Sequence, residues 1–135
     1  DPAGAAQGVD GAVLGGGHEP GTGIVGHATL GPALERGHQR ILVCLDSNHT
    51  REHVLAELEA YAPLTSLGSY CVVFDTIIES MPAEMFPDRP WRPGNNPRTA
   101  VQAYLKTHPE FAIDKAIDRK LSISVAPDGY LRRLR

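Results

Sequence analysis

No run of apolar residues in this sequence approaches the roughly 20 that a membrane-spanning helix requires, which excludes a helical membrane span within it. Its first residues also lack the basic and apolar regions of a secretory leader, so the expected compartment is the cytoplasm. Cysteine is scarce. Cys44 and Cys71 each sit inside an apolar run, where a thiol reads as a small buried hydrophobe and not as half of a disulfide or metal pair. An excess of positive charge is lacking too. A net charge of −3 and a pI near 6.0 make no electrostatic case for nucleic acid or for an anionic membrane.

Glycine is plentiful but unevenly placed. All but three of the 14 glycines fall in residues 1–38; the exceptions are Gly68, Gly94 and Gly129. A run such as Gly15-Gly16-Gly17-His18-Glu19-Pro20-Gly21 is costly to order in regular structure. Residues 1–38 therefore read as an irregular, glycine-rich arm. The G-x-G signals from Gly15 to Gly17 and from Gly21 to Gly23 have no strand before them and no helix after, which argues against a nucleotide loop. His18, His27 and His38 have no cysteine or carboxylate at ligand spacing.

Residues 39–135 read as α/β. The run Ile41-Leu42-Val43-Cys44-Leu45 stops abruptly at Asp46, and Tyr70-Cys71-Val72-Val73-Phe74 stops in the same way at Asp75. Short continuous apolar runs bounded by turn residues suit strands buried on both faces, as in a parallel sheet. Between them, Val54, Leu55, Leu58 and Tyr61 recur at helical spacing, with Thr50 in the N-cap position. Strand, helix and strand then make a right-handed βαβ unit. The proline-studded segment 82–97 predicts a long functional loop, and Ala100, Val101, Tyr104 and Leu105 predict a helix over 99–107. Residues 111–117 fit a strand or a short helical turn. The alternation of Leu121, Ile123 and Val125 predicts a half-buried strand over 120–125, followed by a Pro127-Asp128-Gly129 turn and a basic tail.

In open α/β sheets, ligands bind beyond the carboxyl ends of the strands. Asp46 and Asp75 would both lie there, where two carboxylates can share a Mg²⁺ ion and leave positions open for substrate oxygens. Each could equally be a helix cap or loop residue. Thr76 or Glu79 could add a further ligand. His49 has the side chain for a general base near neutral pH, though a first-turn histidine facing solvent fits as well. His49 and His53 resemble half of a zinc site without a third ligand at a characteristic spacing. Trp91, flanked by Arg89 and Arg92, could stack on a substrate or simply pack its loop. Asn95 and Asn96 could be substrate amides or turn formers.

Several of these segments resemble the cephalosporin hydroxylase / rhamnosyl O-methyltransferase family. They are Leu-Val-Cys-Leu-Asp-Ser-Asn-His-Thr-Arg-Glu-His-Val-Leu-Ala-Glu-Leu (residues 42–58), Gly-Ser-Tyr-Cys-Val-Val-Phe-Asp-Thr (68–76), Pro-Gly-Asn-Asn-Pro (93–97) and Ala-Pro-Asp-Gly-Tyr-Leu (126–131). The resemblance is nearly continuous from Arg40 to the last residue, and Asp1-Pro2-Ala3 looks like the start of an upstream family segment. It implies a Rossmann-like class I methyltransferase fold, mostly parallel with one antiparallel strand. It also implies S-adenosylmethionine as methyl donor and a Mg²⁺ site like that of catechol-type O-methyltransferases. By that resemblance Asp46 and Asp75 match the two metal aspartates, and His49 lies near the position of the base. Thr76 stands where the catechol-type enzymes have an amide ligand, and Phe74 where many relatives have an acid.

The family's glycine-rich cofactor motif belongs to an earlier strand, and residues 8–38 do not resemble it. The expectation is therefore a C-terminal part of such an enzyme, truncated, acting on a small-molecule, sugar or glycolipid hydroxyl. The alternative is an inactive remnant or association module, and exposed strand edges would favour homo-oligomers. An oxygenase is not expected, since no 2-His-1-carboxylate set is present.

Overall fold

The computed structural model describes residues 40–135; the glycine-rich arm read over residues 1–38 lies outside them. Four strands and three helices follow in order: β1 (Val43–Leu45), α1 (Arg51–Tyr61), β2 (Tyr70–Val73), α2 (Pro97–Tyr104), β3 (Phe111–Ile113), α3 (Lys115–Leu121) and β4 (Tyr130–Arg133). Short 3₁₀ turns occupy Ala62–Leu64, Thr76–Ser80 and Ala83–Met85. The sheet order is β1-β2-β4-β3. β1 and β2 are parallel, and β4 runs antiparallel to both β2 and β3. Three strands thus run one way and β4 alone runs the other, the expected partial Rossmann-like arrangement.

Strand periodicity puts Val43 and Leu45 of β1, Cys71 and Val73 of β2 and Leu131 of β4 on one face. That face joins Val54 and Leu58 of α1 and Ala100, Val101 and Tyr104 of α2 in a single core, where α1 and α2 pack on one another. Burial pushes the Cys71 thiol well above its ordinary range, and both cysteines are free. Among the described residues no helix is long and apolar enough to cross a membrane.

Helix α2 starts two residues earlier than its apolar pattern suggests, because Asn96 caps it. Asn96 Oδ1 accepts from Arg98 N at 3.0 Å and Thr99 N at 3.4 Å, while Thr99 Oγ1 accepts from Asn96 N at 3.1 Å. This is a reciprocal capping box with Pro97 in the first turn.

The strand predicted over 120–125 does not form. Asp114 Oδ1 accepts from Ala116 N at 2.9 Å and starts α3, which runs through Leu121. Beyond it, Ile123 is 91% exposed. The place between β2 and β3 belongs instead to β4, within the residues read as a basic tail. Leu131 is fully buried there, and Arg133 Nη1 donates to the carbonyls of Pro63 and Thr65, both at 2.6 Å. Alternation over three residues was a weaker constraint than a helix cap and a strand with two satisfied neighbours.

Tyr104 is the largest fully buried side chain among the described residues. Its ring stacks on His108 with centroids 3.8 Å apart, but its hydroxyl has no hydrogen-bond partner among the described residues. Desolvation pushes its ionisation upward. An orphaned buried hydroxyl costs stability without a compensating bond. Tyr104→Phe is expected to leave stability unchanged or to raise it by up to about 1 kcal/mol, as read by urea denaturation.

Candidate active site

The parallel pairing of β1 and β2 sets Leu45 beside Val73, so both strands end at the same sheet edge. Phe74 N donates to Leu45 O at 3.0 Å and ties the two ends together. Asp46 leaves β1 there, exposed. Asp75 leaves β2 in a left-handed conformation, φ 55° and ψ 23°, a region that aspartate visits more readily than most residues.

His49 reaches the same point from the turn before α1. Thr50 holds the N-cap position, but its hydroxyl makes no capping bond. Asn48 Oδ1 instead accepts from Thr50 N at 2.9 Å, and Asn95 Oδ1 accepts from Arg51 N at 3.0 Å. In this turn His49 Nε2 comes within 3.1 Å of Asp75 Oδ2. Asp46, His49 and Asp75 each offer a ligand atom, and these atoms all lie within 4.8 Å of one another. Two carboxylates at adjacent strand ends, one of them open to solvent, fit the needs of Mg²⁺, which uses one or two protein carboxylates and keeps other positions for water or substrate. The imidazole beside them can accept or hold a proton.

The loop over 82–97 supplies a wall. Trp91 meets His49 edge to face, with centroids 4.9 Å apart and planes at 78°, and Arg89 Cζ lies 5.2 Å from the Trp91 centroid. The loop is held from within. Glu79 Oε2 accepts from Gly94 N at 2.8 Å and from the side-chain amide of Asn96. Asn96 Nδ2 also donates to Arg92 O at 3.0 Å, and Asn95 Nδ2 to Pro90 O at 2.8 Å. Arg92 and Asn95 exchange backbone bonds of 3.0 and 2.9 Å.

The structure thus brings Asp46, His49, Asp75 and Trp91 together. It commits Asn95 and Asn96 to capping and to the loop backbone. Thr76 is fully buried, and its hydroxyl donates to Pro127 O at 2.6 Å. Glu79 is likewise spent on the loop. His53 turns away from His49 toward Ser47 Oγ, 3.0 Å off, and Ser47 in turn donates to the buried Glu57 Oε1 at 2.6 Å.

One supporting group was invisible in the sequence. Asp128 is buried in a left-handed turn, paired with Arg98 Nη2 at 2.5 Å and with Lys115 Nζ. Its neighbours clamp the segment that carries Asp75: Gly129 O accepts from Val73 N at 2.9 Å, and Pro127 O takes the Thr76 hydroxyl. The Pro-Asp-Gly pattern marks a turn, but nothing in it names cationic partners on two separate helices.

Comparison with known proteins identifies the family of the chain. The family described as Rhamnosyl O-methyltransferase/CmcI matches over residues 31–134. Proteins named rhamnosyl O-methyltransferase from Mycobacterium tuberculosis and Mycobacterium bovis are 34% identical over 124 residues, covering 85% of this chain and 48% of theirs. That of Mycobacterium leprae is 34% identical over 95 residues, covering 70% of this chain and 39% of its own. The chain spans about half the length of the first of these relatives. No solved structure matches significantly.

Proposed function

Because the chain belongs to the Rhamnosyl O-methyltransferase/CmcI family, we propose that it carries the acceptor-activating part of an O-methyltransferase acting on a sugar or glycolipid hydroxyl. The observation that carries this reading is the convergence of Asp46, His49 and Asp75 from three separate segments onto one sheet edge.

In this reading Asp46 and Asp75 hold Mg²⁺, which when bound supplies the positive charge that makes an acceptor hydroxyl more acidic. His49 receives the hydroxyl proton, and Asp75, already 3.1 Å from Nε2, pairs with the imidazolium that results. Trp91 and Arg89 shape the side of the site and orient the acceptor, so that positioning contributes alongside charge. The methyl donor implied by the family is S-adenosylmethionine, which supplies an electrophilic methyl group. Among the described residues Gly68, Gly94 and Gly129 are isolated glycines, and none belongs to a glycine-rich loop leading from a strand into a helix. No residue is therefore assigned to that donor.

The test is calorimetric titration of the chain with MgCl₂ and then with S-adenosylmethionine, in a sample that melts cooperatively. Saturable Mg²⁺ binding that Asp46→Ala abolishes is the expected result. A folded sample that takes up no Mg²⁺ overturns the metal-assisted reading.

A further inference from the structure

The segment that fails to become a strand has an unusual surface. Ser122 adopts φ 61° and ψ −41°, and Ile123 N donates to Leu121 O at 2.6 Å. This approaches the classic γ-turn, a rare and strained conformation. It lifts Ile123 out of the fold at 91% exposure, with Leu121 at 49% and Val125 at 52% beside it. Burial of apolar surface would favour the opposite arrangement.

The charge around this tip is one-sided. Arg119 and Lys120 are exposed and form no ion pair among the described residues. The nearby acid, Asp118, turns inward, its Oδ2 accepting from Asp128 N at 3.0 Å. The outward face of Arg119–Val125 is therefore basic and apolar, although the whole chain carries a net charge of −3. The tip is also tied to the candidate site: Val125 O accepts from Ile77 N at 3.2 Å, two residues beyond Asp75.

We propose that Leu121, Ile123 and Val125, backed by Arg119 and Lys120, dock the protein on an anionic lipid surface. Exposed apolar side chains that enter the interface together with adjacent cations are the combination that holds peripheral proteins there. A second copy of the chain fits less well. A two-fold interface centred on the tip would bring the arginines and lysines of both copies close together, and a tip of three side chains falls far short of the roughly 800 Å² per partner of a stable interface. An anionic surface satisfies both the charge and the size.

The proposal goes beyond the methyltransferase reading and is tested without methyl donor, acceptor or metal, so either can fail alone. The experiment is co-sedimentation of the chain with phosphatidylcholine vesicles, with and without about 30 mole per cent phosphatidylglycerol. Expected is binding to the anionic vesicles that weakens with added salt. Ile123→Ser, and separately Arg119→Ala with Lys120→Ala, should each lower the partition coefficient about tenfold. Because Ile123 is so exposed, the thermal melt of Ile123→Ser should match that of the parent. Binding to neither vesicle overturns the proposal, as does binding that Ile123→Ser leaves unchanged. A concentration-dependent dimer abolished by Ile123→Ser overturns it too, and assigns the tip to self-association.

Discussion

Gly129→Ala is expected to cost at least about 3 kcal/mol of stability or to prevent cooperative folding, the high end for a single methyl group. A Cβ at this position would stand 2.2 Å from Val73 O, 3.0 Å from Ala126 O and 3.2 Å from Ala126 Cβ. Two of those atoms are backbone and the third is a β-carbon, so no flexible side chain can yield. The requirement is close approach of the 126–129 turn to β2, not an unusual backbone angle. If residue 129 moves away, Val73 N loses the Gly129 carbonyl it donates to at 2.9 Å. The turn moves with it, and Thr76 and Arg98 lose the partners they find on Pro127 and Asp128. Urea denaturation reads the effect, and a change below about 1 kcal/mol would show that β2 and the 126–129 turn can part without consequence.

Asp75→Asn should have the opposite profile, with little effect on stability and a large one on metal binding. Asparagine is as much at ease as aspartate in the left-handed region, so the φ of 55° adds no new strain. The side chain is 33% exposed, and the one polar contact of its carboxylate among the described residues is His49 Nε2, so the folded state loses little. A cation site on Asp46 and Asp75 would lose half of its protein charge. Loss of an outer-shell partner alone commonly weakens metal binding ten- to a hundredfold, so loss of a direct carboxylate should exceed about a hundredfold. Titration with MgCl₂, next to a melt within about 0.5 kcal/mol of the parent, is the measurement. Unchanged affinity would remove Asp75 from the metal site.

The two variants separate what the sequence made legible from what it did not. β1 and β2 could be read because each is an unbroken apolar run ended by an aspartate, and parallel register then fixes both acids at one edge. Helix α1 could be read from the spacing of Val54, Leu58 and Tyr61. β4 could not. Only Leu131 of its residues is buried, and Arg132 and Arg133 disguise it, with one exposed and the other reaching back to the Pro63 and Thr65 carbonyls. The Asp128 cluster was hidden for a different reason. Its partners lie 30 and 13 residues away, and ion pairs across such distances leave no periodic trace. Asn96 was noticed for its chemistry and missed for its geometry, because a cap is a statement about the backbone that follows it.

The position of β4 also bears on how the chain acquires its shape. It is the last described element in sequence but lies inside the sheet, between β2 and β3. While a ribosome is still producing α3, β2 has only β1 beside it, and β3 has no strand neighbour among the described residues. The newborn sheet therefore passes through a stage in which the edges of β2 and β3 that β4 later occupies are both open, a condition that invites pairing with other chains. Arrival of β4 fills both edges at once and brings Gly129 and Asp128 onto the β2 end. Assembly of the candidate site's edge thus waits for β4, and chains synthesised only as far as α3 would present Asp75 without the clamp that holds it.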